Sequence, residues 1–454
     1  YSRGADLVEG REEPRAAPII DAEFLRPEAG STQRGLKAEY FRGKELSGTP
    51  VLTRIDSRVA FRWDRGAPTD DLAAQGQLSQ AQALSGDDFS VRWTGQLLAP
   101  TTGRYEIVVG ANDGFRLFID GRELVNGWQL NERVRSVSTP IELQAGRAYD
   151  LRLEFFEEIR DAEIRLGWRR PGAKPPAEEA LDAARASDVI VFVGGLTGDV
   201  EGEEMKVNFP GFAGGDRTDL RLPSSQRKLL ESLHTTGKPI VVVLTGGSAL
   251  AVDWAQKNTS AILMAWYPGQ RGGNAVADVL FGDVSPSGRL PITFYKESEK
   301  LPAFDDYSME GRTYRYFKGE PLYPFGHGLS YSTFEYSNLT LDRPSLSANG
   351  TLQATVTVKN VGKRTADEIV QLYVRPVGSA IPRAQQDLRG IKRLTLKPGE
   401  AQQVTLAVRP EMDLRRYDPD AKKYVVDAGR YEVQIGNSSR DIKQSRAFTI
   451  AQSR

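Results

Sequence analysis

The sequence contains no cysteine and only two histidines, and these absences exclude several kinds of chemistry. Without cysteine there are no disulfides and no thiolate catalysis, and cysteine usage does not indicate whether the protein works in an oxidising or a reducing compartment. Two histidines and no cysteine also disfavour a transition-metal site. No GxGxxG motif opens a helix and no P-loop lysine motif occurs, so nucleotide binding has no support. The sequence therefore predicts neither a metal nor a cofactor.

The sequence also lacks an excess of charge and a long apolar run. Lys and Arg together number 60, as do Asp and Glu, so the formal net charge is zero. A nucleic-acid partner would need a cationic surface, which no basic run supplies. No apolar run approaches the roughly 18 residues of a membrane helix. We expect neither nucleic acid nor a membrane as partner. A homodimer is compatible with the sequence.

The pattern of apolar residues divides the 454 residues into regions. Residues 31–172 alternate apolar and polar side chains between Gly, Asn and Asp, which predicts a β sandwich or barrel. Within it, "NDGFRLFIDG" predicts a hairpin with its turn at Asn112, Asp113 and Gly114. Residues 340–454 alternate again, which predicts an immunoglobulin-like sandwich.

Residues 173–335 have a different pattern, in which apolar runs are separated by helical segments. The runs "DVIVFVGG", "KPIVVVLTGGS" and "SAILMAWYPG" are nearly continuous, as expected for strands covered on both faces. Helices are predicted over Ser224–Gly237 and Gly272–Gly282, each ending at a glycine. This alternation of strand and helix predicts an open, mostly parallel α/β sheet.

The first thirty residues are rich in proline and charge, and we predict no strand in them. The chain starts at Tyr1 rather than Met, and no signal peptide is visible. An α/β sheet with only three or four strong strands is small. We therefore expect that an amino-terminal part of the protein, including sheet strands, lies outside this sequence.

Four long motifs carry a resemblance to a known family. "GGDRTDLRLPSSQRKLLESL" (214–233), "TGKPIVVVLTGGSALAVDW" (236–254), "AWYPGQRGGNAVADVLFGDVSPSGRLPITF" (265–294) and "YPFGHGLSYSTFEYSNL" (323–339) resemble the carboxy-terminal half of glycoside hydrolase family 3. Many bacterial β-glucosidases and β-xylosidases belong to that family. "GLKAEYFRG" and "YEIVVGANDGFRLFIDG" are similar to a PA14 domain, and "VKNVGKRTADEIVQLYV" resembles a fibronectin type III-like domain.

The resemblance implies a domain order and a missing partner. Residues 1–30 would be the leading edge of an α/β sandwich domain that is incomplete at its N-terminal end. Residues 31–172 would be a PA14-like insert, 173–335 the α/β sandwich domain with the acid/base loop, and 340–454 a fibronectin type III-like domain. The family's (β/α)8 barrel, which normally supplies the nucleophilic Asp, is absent. This chain alone is then expected to be inactive. Its expected partner is the barrel portion of the same enzyme, either in the same polypeptide or as a separate chain.

The acidic stretch "GDVEGEEM" directly follows a predicted parallel strand, where α/β sheets place their ligand sites. Retaining glycoside hydrolysis needs two carboxyl groups roughly 5–5.5 Å apart, and the proton donor needs a raised pKa. The resemblance places the acid/base Glu on this loop, commonly followed by a small residue. Glu201-Gly202 matches that pattern, and Glu203 and Glu204 are the alternatives. A solvated loop with no role is the alternative to any site.

Several other residues have a structural and a functional interpretation. For most the structural one is preferred: loop support for Asp216-Arg217, a Gly-rich turn for His327, a surface position for His234, and core packing rather than sugar stacking for Trp128, Tyr267 and Tyr316. Asn112-Asp113 resembles the paired acidic residues with which some PA14 lectins hold calcium, but a turn explains it equally well. The residues that bind substrate are unknown at this stage.

The preferred hypothesis is part of a retaining exo-β-glycosidase, first a β-glucosidase and second a β-xylosidase. Its substrate would be an oligosaccharide or aryl β-glycoside, with Glu201 as general acid/base. The family implies a secreted or periplasmic protein of a bacterium. The rival is a non-catalytic carbohydrate-binding or adhesion protein built on PA14-like and fibronectin-like modules.

Overall fold

A computed structural model of the chain describes residues 7–8, 11–12, 17–74, 83–130, 134–197, 201, 208–214, 216–300, 302–303, 305–379 and 381–452. The chain forms two compact units. The first comprises Tyr1–Ser187 with Glu231–Thr236, and the second comprises Asp188–Leu230 with Gly237–Arg454. In the described part of the chain, no helix combines the length and the apolar character needed to cross a membrane.

The first unit is dominated by a β sandwich. Two short antiparallel strands, β1 (Leu7–Val8) and β2 (Arg11–Glu12), come first, and a 3-10 turn spans Ala22–Phe24. The elements that follow are β3 (Leu25–Arg26), β4 (Leu36–Arg42), β5 (Leu52–Asp56), β6 (Ala60–Asp64), α1 (Asp70–Ala74), β7 (Phe89–Leu98), β8 (Gly103–Asn112), β9 (Gly114–Ile119), β10 (Arg122–Gly127), β11 (Arg135–Leu143), β12 (Ala148–Glu157), β13 (Ala162–Arg169) and α2 (Pro176–Arg185).

The sandwich consists of two antiparallel sheets that enclose one apolar core. The larger sheet has the order β10-β9-β12-β7-β4-β5, with β3 paired to β7, and the smaller sheet has the order β11-β8-β13-β6. Large side chains from both sheets are fully buried between them, including Trp93, Phe115 and Phe155 from the larger sheet and Tyr105 from the smaller one. The alternation in the sequence therefore reflects one buried face on each sheet.

The predicted hairpin at Asn112, Asp113 and Gly114 is wrong. Strand β8 pairs with β11 and β13, whereas β9 pairs with β10 and β12, so the chain crosses between sheets here. A Cβ on Gly114 would lie 2.0 Å from the Phe156 ring, which explains glycine at the crossing. The hairpin joins β9 to β10 instead. Its two-residue turn, Asp120-Gly121, has positive φ at both positions (48° and 76°), as such turns require.

The first thirty residues contain strands, contrary to the prediction. Strand β3 pairs with β7, and Leu25 is fully buried in the sandwich core together with Ile20. The backbone N–H of Ile20 also donates to the Leu166 carbonyl at 3.1 Å. Residues 17–26 therefore belong to the β sandwich and not to the edge of the α/β domain, to which the sequence assigned them. Strand β3 is only two residues long, so it shows no alternation that the sequence could reveal. Its pairing partner, Leu97 on β7, is also distant in the sequence.

The second unit contains an α/β sheet and a second sandwich. Its elements up to residue 316 are β14 (Ile190–Gly195), β15 (Asn208–Phe209), β16 (Phe212–Ala213), β17 (Asp216–Arg217), α3 (Ser224–His234), β18 (Ile240–Thr245), α4 (Asp253–Asn258), β19 (Ala261–Trp266), α5 (Gly272–Phe281) and α6 (Thr313–Tyr316). The last turn of α3, from Glu231, is grouped with the first unit. Strands β14, β18 and β19 form a parallel sheet in that order, and β15, β16 and β17 form a small antiparallel sheet. The predicted parallel α/β arrangement and both predicted helices are confirmed.

Coverage of this sheet differs between its strands. On β18, Val242 and Val243 are 0% and 2% exposed, as expected for a strand covered on both faces. On β14, Val191 and Val193 are 51% and 66% exposed, so the expectation of double coverage is wrong for β14 within this chain. Ile190 and Phe192, on the other face of β14, are 9% and 7% exposed, so one face of this strand is covered and the other is not.

The remaining elements form the second sandwich. They are β20 (Phe334–Leu341), β21 (Ser345–Leu346), β22 (Leu352–Asn360), β23 (Ala366–Val377), β24 (Asp387–Leu396), β25 (Ala401–Val408), α7 (Pro410–Asp413), β26 (Arg416–Asp418), β27 (Lys423–Val425), β28 (Gly429–Gly436) and β29 (Ile442–Ile450). The two main sheets have the orders β20-β22-β25 and β21-β29-β28-β23-β24. They enclose a core in which Val356, Val370 and Val433 are fully buried. The predicted immunoglobulin-like sandwich is confirmed in its architecture.

Candidate active site

The carboxyl ends of the three parallel strands gather polar side chains at one edge of the sheet. Glu201 follows β14, Gly247 and Ser248 follow β18, and Tyr267 directly follows β19. Parallel strands end at the same edge, so residues far apart in the sequence meet there. The chain leaves β14 through Gly195, whose φ of +121° disfavours any residue with a side chain.

The carboxylate of Glu201 accepts hydrogen bonds on both oxygens. The Ser248 hydroxyl donates to Oε1 at 2.6 Å, and the Tyr267 hydroxyl donates to Oε2 at 2.7 Å. The backbone N–H of Gly247 also donates to Oε2, at 3.2 Å. Two strand ends thus hold one carboxyl group.

These donors shift the pKa of Glu201. Burial raises its pKa, but the hydrogen bonds from Ser248, Tyr267 and Gly247, together with the positive charge of Arg217, hold the pKa of Glu201 below its ordinary value. Donors favour the charged form of a carboxyl group, and here they outweigh the loss of solvent. The raised pKa expected for a proton donor is therefore wrong for this arrangement, in which Glu201 is a carboxylate.

Tyr267 is 49% exposed. Burial, followed by the hydrogen bond and charge of Glu201, raises the pKa of Tyr267 to about 12. The phenol therefore keeps its proton at neutral pH and remains a hydrogen-bond donor. Its ring and hydroxyl lie beside Glu201 rather than in a core, so core packing was the wrong interpretation for Tyr267.

Arg217 supports the same group of residues from β17. Its guanidinium donates to the Ser248 hydroxyl at 3.1 Å, and to the carbonyls of Ala249 at 3.1 Å and Asp219 at 2.6 Å. Burial lowers the pKa of Arg217, and the charges of Glu201 and Asp219 oppose that shift. Arg217 thus organises this loop mainly through backbone carbonyls, in agreement with the structural role preferred from the sequence.

The other residues singled out from the sequence lie apart from this group or outside the described part of the chain. Glu203, Glu204 and Gly202 belong to the segment that the structure does not describe. His327 stacks on Tyr323 with ring centroids 5.2 Å apart, and burial followed by the charge of Arg289 lowers the pKa of His327. The remaining ones are exposed or packed: Asp216 and His234 are exposed, Tyr316 is half-buried, and Trp128 packs edge-on against Phe156.

Asn112 and Asp113 are buried in the first unit. One Asp113 carboxylate oxygen accepts the backbone N–H groups of Glu158 at 2.9 Å and Ile159 at 3.4 Å. This carboxylate therefore caps the turn after β12. The contact gives Asp113 a structural role that differs from the hairpin turn expected of it.

Sequence reasoning missed Ser248 and Gly247 as neighbours of Glu201. A signal was available, because "LTGGS" follows the buried strand β18 at the edge where ligand sites form. The two glycines and the serine directly follow an apolar run, and as a local pattern they indicate only the end of a strand. The hydroxyl role of Tyr267 had no local signal, since it depends on the order of the strands.

The parallel sheet, the hydrogen-bonded carboxylate at its edge and the sandwich that follows define a multidomain protein with α/β and β parts. Residues 66–331 match the glycosyl hydrolase family 3 C-terminal domain, and residues 368–439 match a fibronectin type III-like domain. The chain belongs to glycosyl hydrolase family 3. The sequence resemblance to this family and to the fibronectin type III-like domain is confirmed.

Curated relatives carry the names of two activities. A xylan 1,4-β-xylosidase of Xylanibacter ruminicola is 34% identical over 426 residues, covering 92% of this chain and 46% of that protein. A β-glucosidase of Rhizobium radiobacter is 33% identical over 469 residues, covering 94% and 54%. The chain thus spans about half the length of the curated relatives it matches.

Solved structures agree on the fold. A β-glucosidase from Kluyveromyces marxianus matches with a TM-score of 0.67 over 100% of this chain and 53% of that one, at 24% identity. A β-glucosidase from Streptomyces venezuelae, solved with D-glucose, matches with a TM-score of 0.57 at 26% identity, covering 96% and 49%. The first likeness shows the fold alone.

Proposed function

We propose that the complete protein is a retaining exo-β-glycosidase that removes terminal β-linked sugars from oligosaccharides. A β-glucosidase is preferred and a β-xylosidase is second. The observation that carries the proposal is the Glu201 carboxylate, held by hydrogen bonds on both oxygens at the carboxyl edge of the parallel sheet. The relatives named β-glucosidase and β-xylosidase support the reaction class.

In this proposal Glu201 is the general acid/base. In the first step its protonated form gives the proton to the glycosidic oxygen while a nucleophilic carboxylate attacks the anomeric carbon. In the second step the Glu201 carboxylate takes a proton from the water that hydrolyses the glycosyl-enzyme. The donors around Glu201 favour the second form, so the first step requires a proton on a group that the free site holds as a carboxylate.

The nucleophile is proposed to come from elsewhere in the enzyme. We place an Asp on a (β/α)8 barrel, either in the same polypeptide or in a separate chain, and we expect residues 1–454 alone to be inactive. The difference in length between this chain and its curated relatives supports this arrangement. We also propose that the first sandwich, with its two antiparallel sheets, is a PA14-like domain.

A secreted or periplasmic location is part of the proposal. A periplasmic β-glucosidase of Salmonella typhimurium is 37% identical over 265 residues, covering 56% of this chain. That match supports export from the cytoplasm. Outside the cytoplasm the proposed enzyme would meet its oligosaccharide substrates.

The test is the release of nitrophenol from an aryl β-glucoside by the complete protein. Glu201→Gln should lower kcat by about 10²- to 10⁴-fold, the usual contribution of general acid–base catalysis, because hydrolysis of the glycosyl-enzyme loses its general base. Glu335→Gln, an exposed Glu on β20, is the matched control and should keep full activity. Full activity of Glu201→Gln would remove Glu201 from the role. Glycan binding by the complete protein without hydrolysis would instead support the carbohydrate-binding alternative.

A further inference from the structure

Three side chains beside Glu201 are connected in a single series of hydrogen bonds. Arg217 donates to Ser248, Ser248 donates to Glu201, and Tyr267 donates to the other oxygen of the same carboxylate. We propose that Ser248 and Tyr267 are positioning residues that hold Glu201 as an oriented carboxylate, and that Arg217 acts through Ser248. This inference rests on the proposed role of Glu201 as general acid/base.

The two hydroxyl groups restrict the rotation of the carboxyl group. Ser248 binds Oε1 at 2.6 Å and Tyr267 binds Oε2 at 2.7 Å, so the two donors approach different oxygens. Ser248 follows β18 and Tyr267 follows β19, and these strands are paired in one sheet. Rotation of the carboxyl plane would break both bonds at once. Among the described residues, the orientation of the Glu201 carboxyl group is therefore set by side chains at the ends of β18 and β19.

The direction of the Ser248 proton follows from Arg217. A guanidinium has only donors, so the Arg217 contact at 3.1 Å uses a lone pair of the Ser248 oxygen. The serine hydrogen is then available to Glu201. Arg217 is itself held by the carbonyls of Ala249 and Asp219. Donation therefore runs from Arg217 through the Ser248 hydroxyl to the Glu201 carboxylate, while the two backbone carbonyls accept from Arg217 and hold it in place.

This arrangement has a consequence for pH dependence. Each donor stabilises the charged form, so removal of either hydroxyl should raise the pKa of Glu201. The Tyr267 hydroxyl holds its proton at neutral pH, since the pKa of Tyr267 is raised to about 12. The upper limb of the kcat/KM profile reports loss of the proton from the acid in the free enzyme. That limb should move to higher pH when Tyr267 loses its hydroxyl.

The experiment compares Tyr267→Phe and Ser248→Ala in the complete enzyme on two aryl β-glucosides. Dinitrophenolate leaves without being protonated, whereas unsubstituted phenolate needs a proton from the general acid. Loss of orientation should lower kcat/KM about 10-fold for the phenyl glucoside and less than about 2-fold for the dinitrophenyl glucoside. The upper pH limb of the phenyl reaction should rise in both variants. Arg217→Lys should give the same leaving-group pattern, and combining it with Ser248→Ala should add little.

Matched controls remove a hydroxyl hydrogen bond elsewhere in the same unit. Tyr331→Phe loses a donor to the Val279 carbonyl at 2.7 Å, and Ser332→Ala loses a donor to Asn360 at 2.6 Å. Both should keep the wild-type pH profile and leaving-group dependence. These controls separate positioning of Glu201 from a general loss of stability.

Two results would overturn the inference. The first is an equal loss for both leaving groups without a shift of the pH limb, which indicates structural damage alone. The second is wild-type kinetics in both Tyr267→Phe and Ser248→Ala. If Glu201→Gln is impaired in either case, the proposed function stands and only the positioning role fails. If Glu201→Gln is fully active, the proposed function fails as well.

Discussion

A second carboxyl group, Glu157 at the end of β12, shows the opposite balance to Glu201. Its side chain is fully buried, and in the described residues neither carboxyl oxygen has a hydrogen-bond partner. Burial, followed by the negative charges of Asp113 and Asp87, raises the pKa of Glu157 to about 9. Buried carboxyl groups without donors are neutral, whereas Glu201 is surrounded by donors and charged. Residue type alone does not distinguish the two cases.

Glu157 predicts a pH dependence of stability in the first sandwich. Between its unfolded pKa near 4.5 and its folded pKa of about 9, the folded state binds one more proton than the unfolded state. The free energy of unfolding therefore falls as pH rises, by at most about 1.4 kcal/mol per pH unit. Glu157→Gln should gain stability relative to wild type between pH 5 and pH 8, measured as the difference in Tm. The exposed Glu142→Gln should show a constant difference, and a constant difference for Glu157→Gln would contradict the account.

Helix ends and strand types were predictable at the scale of elements, but pairing was not. Helix α5 ends where Gly282 adopts a left-handed φ of 80°, a local signal that the sequence displays. Asn112, Asp113 and Gly114 suit a hairpin turn and a crossing between sheets equally well. These residue types therefore led to the wrong prediction of a hairpin. The contacts of Glu201 join residues 46 to 66 positions apart, and only the order β14-β18-β19 brings them together.

The end of β14 approaches the end of β18 closely at Gly195. A Cβ on Gly195 would lie 2.0 Å from the Thr245 carbonyl oxygen, at a φ of +121°. Gly195→Ala should therefore separate the ends of β14 and β18, at a cost of about 1–3 kcal/mol, and should lower activity through misplacement of Glu201. Hydrogen–deuterium exchange of the β14 and β18 amides measures the separation.

Gly378→Ala is the control for that variant, because Gly378 has a φ of +69° but open space around a Cβ. It carries the conformational cost without the clash, so it should not affect exchange in β14 or β18. If both variants left that exchange unchanged, the close approach at Gly195 would not be what holds the strand ends together.

At the scale of the second unit, a buried ion pair joins the segment after α5 to the second sandwich. Arg289 donates to Glu368 on β23 at 2.9 Å, and the two side chains are 8% and 2% exposed. The Tyr336 hydroxyl also donates to Glu368, at 2.7 Å. Burial raises the pKa of Glu368, although Tyr336 and Arg289 oppose the shift. The α/β segment and the sandwich are thus held together by a group that depends on its partners.

Arg289→Met should destabilise this unit by about 3–5 kcal/mol, because it leaves the Glu368 carboxyl buried without its cation. Arg289→Met combined with Glu368→Gln should recover part of that loss, since the buried charge is then removed. Urea unfolding of the single and double variants measures the coupling. Strictly additive losses would show that the pair does not link the two parts.

Azide rescue shows whether Glu201 is the acid/base of a retaining glycosidase. The measurement uses the complete protein carrying Glu201→Ala, with dinitrophenyl β-glucoside and added azide. Azide needs no general base, so it should restore turnover and give the β-glucosyl azide, with retained configuration. Wild-type hydrolysis without azide, or no azide product at any azide concentration, would contradict the claim.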